Sequence, residues 1–354
     1  MFIRFAGRLL INVASLNAQG ASGTNYIEIT KVPVVLEKNG KMIIEEVPAI
    51  SGNMLKHYHF VHLVDLLRES DYNSKKLSTD DLKYVAYRFR EKRKEEQNIA
   101  NEKVNLKDEA DIIKKFAVAD IHGYLAPETQ NRRESLVKFS FAIPCEDTIA
   151  EAVETSAVTQ NRVVFDDKGN IEGKGEDVGK AMMIFKRQYA SALYGFASTF
   201  DAYYVGRPQS NPRQLAVQGD ERKERAKLAV LAYINLLGGV SGANISRGLP
   251  AMEVRELIAV TSNKPIPMAK HGFYSDYIKE TTKIANEFSK VFGTKVTVYI
   301  YSKSGEKIVS LKEQYEGNSN LEIKDYGSYI ELIKAVANDV EKGLDEEEKK
   351  SKED

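Results

Sequence analysis

Thiols and indoles are almost missing from this chain: one cysteine, Cys145, and no tryptophan in 354 residues. A single thiol excludes a disulfide framework and a thiolate zinc site, and it suits a reducing cytoplasm. Histidine is also scarce, at five residues, which leaves little material for a metal enzyme. No stretch approaches the roughly 18–20 consecutive apolar residues that cross a bilayer, so no membrane partner is expected. The N-terminal MFIRFAGRLLINVASLNAQ is apolar but interrupted by Arg4 and Arg8, and it reads as a strand rather than a signal peptide. Neither a G-x-x-x-x-G-K-[ST] phosphate loop nor a G-x-S-x-G nucleophile elbow occurs. Net charge is absent too, with 51 basic and 51 acidic residues, which excludes a disordered polyelectrolyte. What is present is 42% apolar residues, enough for a substantial core in one large domain or two smaller ones.

The zero net charge hides a gradient. Residues 180–300 hold 17 basic and 9 acidic side chains, a surplus of +8, whereas 66–179 and 339–354 each stand at −4. A strongly basic stretch in a neutral protein is a candidate polyanion surface, or a solvated face balanced by an acidic neighbour.

Residues 2–14 are expected to form a strand buried on both faces, and 15–24 a loop. Segments 25–37 and 41–48 flank Lys38-Asn39-Gly40-Lys41, a hairpin turn. Residues 51–68 read as a helix with Ser51 as its cap and Ile50 and Leu55 placed for a hydrophobic staple. Residues 79–117 are polar and helical, an insertion rather than core. Residues 135–143 alternate as a strand. The polar DDKGNIEGKGED within 155–182 suggests a protruding hairpin. A strand is expected over 183–204, a helix over 219–237 and a strand over 254–262. Helix, strand and helix then follow at about 273–292, 295–301 and 326–342. With the insertions removed the order is β-α-β-β-α-β, the α+β, ferredoxin-like plan of RRM domains. The open sheet face of such a domain stacks single-stranded bases.

Several residues are candidates for chemistry. Phe60, Leu63, Val64 and Leu67 define the buried stripe of helix 51–68. Run back toward the N-terminus, that stripe turns polar at Lys56, His57 and Asn53. Unpaired N–H groups and the helix dipole favour an anion there, and Ser51-Gly52 adds a hydroxyl and a close backbone approach. His57, His59 and His62 have no carboxylate or cysteine at ligand spacing, so no metal is expected. Asp120 and His122, two residues apart, suit either a general acid/base pair or a loop held by hydrogen bonds. The glycine-rich loop 238–247 contains Gly242, Asn244 and Arg247 and has the character of an anion nest. Lys186 and Arg187 stand beside tyrosines and phenylalanines, an interleaving that suits single-stranded nucleic acid.

Six segments, FIRFAGRLLINVASLN, PAISGNMLKHYHF, ADIHGYL, RRESLVKFSFAIP, FKRQYASALYGF and GGVSGANISRGLP, occur in order over residues 1–265. Together they resemble the backbone subunits of type I CRISPR Cascade complexes. These form the DevR-like branch of the repeat-associated mysterious protein (RAMP) superfamily, and the similarity is greatest to its archaeal I-A members. The resemblance implies a modified RRM palm made of residues 1–69, 131–154 and 183–300. It also implies a helical "fingers" insertion at 70–130 and a "thumb" hairpin at 155–182. A strand–helix extension (301–342) and an acidic tail (343–354), expected to fray, would follow. It implies a non-catalytic protein without cofactor or metal that polymerises head to tail along CRISPR RNA. Its partners would be that RNA, target DNA through the guide, and other Cascade subunits. The RNA-binding set would be Asn17, Gln19, Ser51, Gly52, Asn53, Lys56, His57, His122, Gln160, Arg162, Lys186, Arg187, Gly242, Asn244 and Arg247. A rival expectation is a superfamily endoribonuclease that processes CRISPR RNA through His57 or His122, or cuts target RNA through Asp120 or Asp166.

Overall fold

A computed structural model describes residues 1–16, 18–21, 26–85, 100–160, 184–239, 249–304 and 308–353. The elements begin with strands β1 (Phe2–Ala14), β2 (Ala18–Ala21), β3 (Tyr26–Ile29), β4 (Lys31–Lys38) and β5 (Lys41–Pro48). Helices α1 (Gly52–Arg68), α2 (Glu109–Lys115) and α3 (Ala117–His122) come next. Strands β6 (Tyr124–Ala126), β7 (Asn131–Arg133), β8 (Val137–Phe139), β9 (Ile143–Pro144), β10 (Val153–Gln160) and β11 (Ile184–Phe200) follow. The chain continues through α4 (Gly219–Leu237), β12 (Ala251–Ser262), α5 (Tyr277–Phe292), β13 (Val296–Ser302), α6 (Ile308–Tyr315), β14 (Leu321–Asp325) and α7 (Tyr329–Glu353). Among the described residues no helix is long and apolar enough to cross a membrane.

The architecture is mixed α+β around a central sheet in the order β14-β13-β12-β1-β11-β3-β2, with β8, β9 and β10 also paired to β11. Strand β1 lies antiparallel between β11 and β12, which explains a sequence apolar on both faces. One face carries Ile3, Phe5, Leu9, Phe196 and Leu257. It packs under Leu55, Phe60, Leu63, Val64 and Leu67 of α1, with Ala229, Val230 and Tyr233 of α4 and Leu332, Val336 and Val340 of α7. The stripe read from the sequence of α1 is thus its buried face. The turn between β4 and β5 places Asn39 and Gly40 at φ 54° and 72°, the geometry the Asn-Gly pair predicts.

The other sheet face is covered over the first part of β1, and beyond Arg8 a cavity of about 730 Å³ opens along Leu10, Asn12, Ser191 and Leu193. Phe2, Ala6, Ala197, Ile258 and Val260 lie beneath Tyr277, Ile278, Ala285 and Phe288 of α5, together with Ile266 and Ala269. The backbone at Gly272 presses onto the sheet, where a Cβ on Gly195 would come within 2.2 Å of Gly272 and one on Gly272 within 2.2 Å of Gly7. The two cations inside β1 are consumed by this cover. Arg4 donates to the Ile266 carbonyl (2.9 Å) and to Asp201 (2.7 Å), and Arg8 to the Gly272 carbonyl (2.9 Å) and to Asp147 (2.9 Å). Tyr194, Phe196 and Phe200 are core residues. A base-stacking platform over this part of the sheet is therefore excluded by the chain's own cover.

Other segments also depart from the sequence reading. The loop expected at 15–24 contains β2. The strand expected at 135–143 splits into β8 and β9, because Ala142 leaves β11 to exchange two backbone hydrogen bonds with Ile50 (2.8 and 2.9 Å). The C-terminal extension holds α6 and β14 as well as the expected strand and helix. The acidic end does not fray where it is described: α7 continues to Glu353, Glu347 pairs with Arg207, and Glu348 with Arg222 (3.3 Å). A run of acidic residues that looks solvated in sequence is here the counter-charge to buried arginines of α4 and the segment before it.

The insertion is likewise tied down. Asp120, fully buried, accepts from Arg133 Nη2 (2.8 Å), Arg225 Nη1 (3.1 Å) and the Gly206 N–H (2.9 Å). Arg133 also reaches Glu109 (2.9 Å), and Arg225 reaches Asn73 (2.6 Å). Ile112, Ile113, Phe116 and Ala119 form a small core with Tyr124, while Ala117, Val118 and Ile121 join the main core. Removing one partner of a buried ion pair leaves the others uncompensated, at a cost of about 3–5 kcal/mol. Asp120→Ala should therefore lower stability in chemical denaturation by about that amount; a loss below about 1 kcal/mol would show that the two arginines find other acceptors.

Candidate functional site

The site grows from the start of α1. Two local features fix that start on the sheet: the Ile50–Ala142 bridge, and Gly52, where a Cβ would lie 2.3 Å from the Phe139 carbonyl. Only glycine fits there. The Ser51 side chain accepts from the Met54 N–H (3.2 Å) and caps the helix. Ser51 and Gly52, both read as ligand groups from the sequence, thus have structural roles: one caps, and the other lets helix and sheet approach. The N–H groups of Gly52 and Asn53 lack intrahelical acceptors by virtue of their position.

Beyond that first turn a cleft of about 200 Å³ opens, lined by Asn53, Lys56, His57, Phe60, Val118 and His122 together with Gly123. Asn53, Lys56, His57 and His122 were each singled out in the sequence, and the fold brings all four together. Lys56 is half-buried, and no carboxylate pairs with it among the described residues. Burial and the neighbouring Lys138 both lower its pKa. Burial lowers that of His57 as well. A partly desolvated ammonium beside a second one and a helix N-terminus is a place where a bound anion is favoured.

His122 and Asp120 do not form an acid/base pair. Asp120 is committed to its arginines, and His122 turns instead to His59, Nε2 to Nδ1 at 3.0 Å. His59 is fully buried, with Nε2 2.8 Å from the Ala229 carbonyl. Burial pushes His59 down to about 3, and burial beside His59 holds His122 well below its ordinary value. Sequence pattern missed His59 as the partner of His122, since 63 positions separate them. It also missed Lys138, whose strand assignment alone placed no charge near α1.

The remaining candidates lie elsewhere. Lys186 is exposed on β11, 5.4 Å from the Tyr26 ring centroid, and Arg187 is buried beside it. Both belong to the antiparallel pair of β10 and β11, which runs from Val153↔Ser191 to Gln160↔Ile184. The side chains of Asn17, Gln19 and Gln160 lie outside the described residues, as do Arg162, Asp166, Gly242, Asn244 and Arg247 and the rest of the expected hairpin at 161–183.

Residues 5–282 match the family model described as CRISPR-associated negative auto-regulator DevR/Csa2, so the chain belongs to the DevR/Csa2 family. A Methanocaldococcus jannaschii protein, "CRISPR-associated protein Cas7/Cst2/DevR", is 47% identical over 88% of this chain and 97% of its own length. The Saccharolobus solfataricus "CRISPR-associated aCascade subunit Cas7/Csa2 2" is 27% identical over 85% of this chain and 92% of its own. A chain of a solved "CRISPR RNA-guided surveillance complex, pre-nicking" is 14% identical, with a TM-score of 0.48, covering 96% of this chain and all of that one.

The two buried histidines make stability depend on pH. Their folded pKa values lie below the value of about 6.5 they regain on unfolding, so the unfolded state takes up protons that the native state refuses. The contribution of His59 is complete above about pH 6.5 and is lost as pH falls from there toward about 3, by up to about 1.4 kcal/mol per pH unit, and that of His122 has the same sign. Urea titrations at several pH values between about 7 and 5 should show this loss, and it should shrink in His59→Gln. Equal pH slopes in the two proteins would mean that His59 is protonated in the native state.

Proposed function

We propose that this chain is a non-catalytic, CRISPR RNA-binding backbone subunit of a type I Cascade complex. It polymerises head to tail along the guide and presents it for pairing with target DNA, while a separate helicase-nuclease cuts. The observation that carries the reading is the cleft at the start of α1, where Lys56 meets a helix N-terminus and no carboxylate pairs with it among the described residues, in a chain of the DevR/Csa2 family. The aCascade relative supports membership of such a complex. The strand order β12-β1-β11-β8 supports reading β1, α1, β8–β9, β11, α4 and β12 as a modified RRM palm. The insertion around α2 and α3 then corresponds to the fingers, and residues 155–182, which begin within β10, to the thumb. In that assembly the guide is read by base pairing and the protein holds its backbone.

Two of the residues named for the nuclease alternative, Asp120 and His122, find little support in the geometry. Asp120 is enclosed by arginines, and His122 is hydrogen-bonded to a second neutral histidine. Incubation with labelled repeat RNA and with guide-complementary RNA separates the readings: tight binding without cleavage is expected, and cleavage would favour the nuclease.

Backbone contacts make affinity salt-sensitive and nearly indifferent to sequence. Lys56→Ala should weaken RNA binding and reduce the salt slope by about one unit, with little change in melting. Phe60→Ala, one turn on and buried, should instead cost about 3–5 kcal/mol of stability. A filter-binding salt titration beside a thermal melt decides: a Lys56→Ala protein that melts early but binds normally places the phosphate site elsewhere.

Val158 is exposed on the described part of the expected thumb. Deleting 158–178 should leave a folded monomer that no longer forms filaments on guide RNA in electron micrographs. Normal filaments from the deleted chain would remove the thumb assignment.

A further inference from the structure

The histidine pair has a polarity that can be worked out atom by atom. The Ala229 carbonyl can only accept, so the proton of His59 sits on Nε2, at 2.8 Å from it. His59 is enclosed and neutral, so its Nδ1 carries a lone pair. The 3.0 Å contact between that Nδ1 and His122 Nε2 then requires His122 to donate. His122 is also held neutral, so its own Nδ1 is left as an acceptor. Its ring lines the cleft with Lys56, and no protein donor to Nδ1 exists among the described residues.

From this arrangement we infer that His122 Nδ1 accepts a hydrogen bond from a ribose 2′-hydroxyl, so that the cleft selects RNA over DNA. The inference rests on the RNA-binding reading above and assigns His122 its part in it. A phosphodiester carries no proton at neutral pH, so it cannot satisfy a bare imidazole nitrogen. The 2′-hydroxyl can, and it is the group that distinguishes RNA from DNA. A phosphate held by Lys56 and the first turn of α1 brings the ribose attached to it to the same cleft, where Phe60 and Val118 supply an apolar wall for the sugar carbons. The buried chain from Ala229 through His59 to His122 acts as a positioning device: it fixes which nitrogen of His122 is bare, well away from any contact with the ligand.

The test uses the full chain and three single strands of one guide-length sequence: ribose, 2′-deoxy and 2′-fluoro. The fluoro strand keeps an RNA-like sugar pucker but has no proton to donate. The wild type should prefer the ribose strand over the fluoro strand by about three- to tenfold, the worth of one hydrogen bond between neutral groups. That ratio should fall to near one in His122→Ala, whereas His122→Gln, whose amide N–H can still donate to His59 and whose oxygen can still accept, should keep its melt and part of the preference. Lys56→Ala should weaken all three strands alike and leave the ratio unchanged. Equal wild-type binding of ribose and fluoro strands overturns the inference while leaving RNA binding in place, and so does a ratio that survives in His122→Ala. If the wild type binds none of the strands, the RNA-binding reading falls as well.

Discussion

A single buried carboxylate organises the molecule. Asp120 faces two guanidinium groups from distant parts of the chain, Arg133 after the β6–β7 turn and Arg225 on α4, and it also receives the Gly206 N–H. Taking three charges out of water is unfavourable unless every donor is matched, and here the matching ties together the insertion, the helical layer and the segment after β11. His122 lies two residues further along the same short helix. Its position against His59 and Lys56 therefore depends on an ion cluster that itself touches no ligand.

That dependence explains why part of the site was legible in the sequence and part was not. Helix α1 announces itself: a serine cap, an apolar stripe at helical spacing, and polar residues where the stripe meets the N-terminus. Such local signals placed Asn53, Lys56 and His57 on one face. His122 also stood out, as one half of an Asp-x-His pair that suits either acid/base chemistry or a loop held by hydrogen bonds. Its partner could not be read, since His59 is separated from it by 63 positions and reaches it only through the packing of α1 on α3 and α4. Ser51 and Gly52 show the converse. A hydroxyl and a glycine before a basic helix suit anion binding, but cap geometry and the closeness of the Phe139 carbonyl account for both.

The fold was legible to a similar degree. Long strands with continuous apolar runs, β1 and β11, and the helices α1 and α4 follow directly from period and composition. The failures share a cause, which is pairing between segments remote in sequence. The break at Ala142 comes from its bridge to Ile50. The ordered acidic end comes from Arg207 and Arg222, and the closed sheet face comes from Gly272 lying on Gly7 and Gly195. In each case the deciding partner lies more than 70 residues away, beyond any periodicity a window can detect.

The closed sheet face also bears on how such a chain would hold a nucleic acid. An RRM that stacks bases on its open sheet gains affinity from their aromatic faces, and with it some preference among them. Here Arg4 and Arg8 are committed to the internal cover, and Tyr194, Phe196 and Phe200 belong to the helix-packed core, so that route is closed over the covered part of the sheet. The polar surface that remains at the start of α1 offers an ammonium, backbone N–H groups and a neutral imidazole. None of these distinguishes one base from another; all of them match phosphate and sugar. A protein whose guide must be replaceable, with sequence read by pairing alone, needs contacts of this indifferent kind.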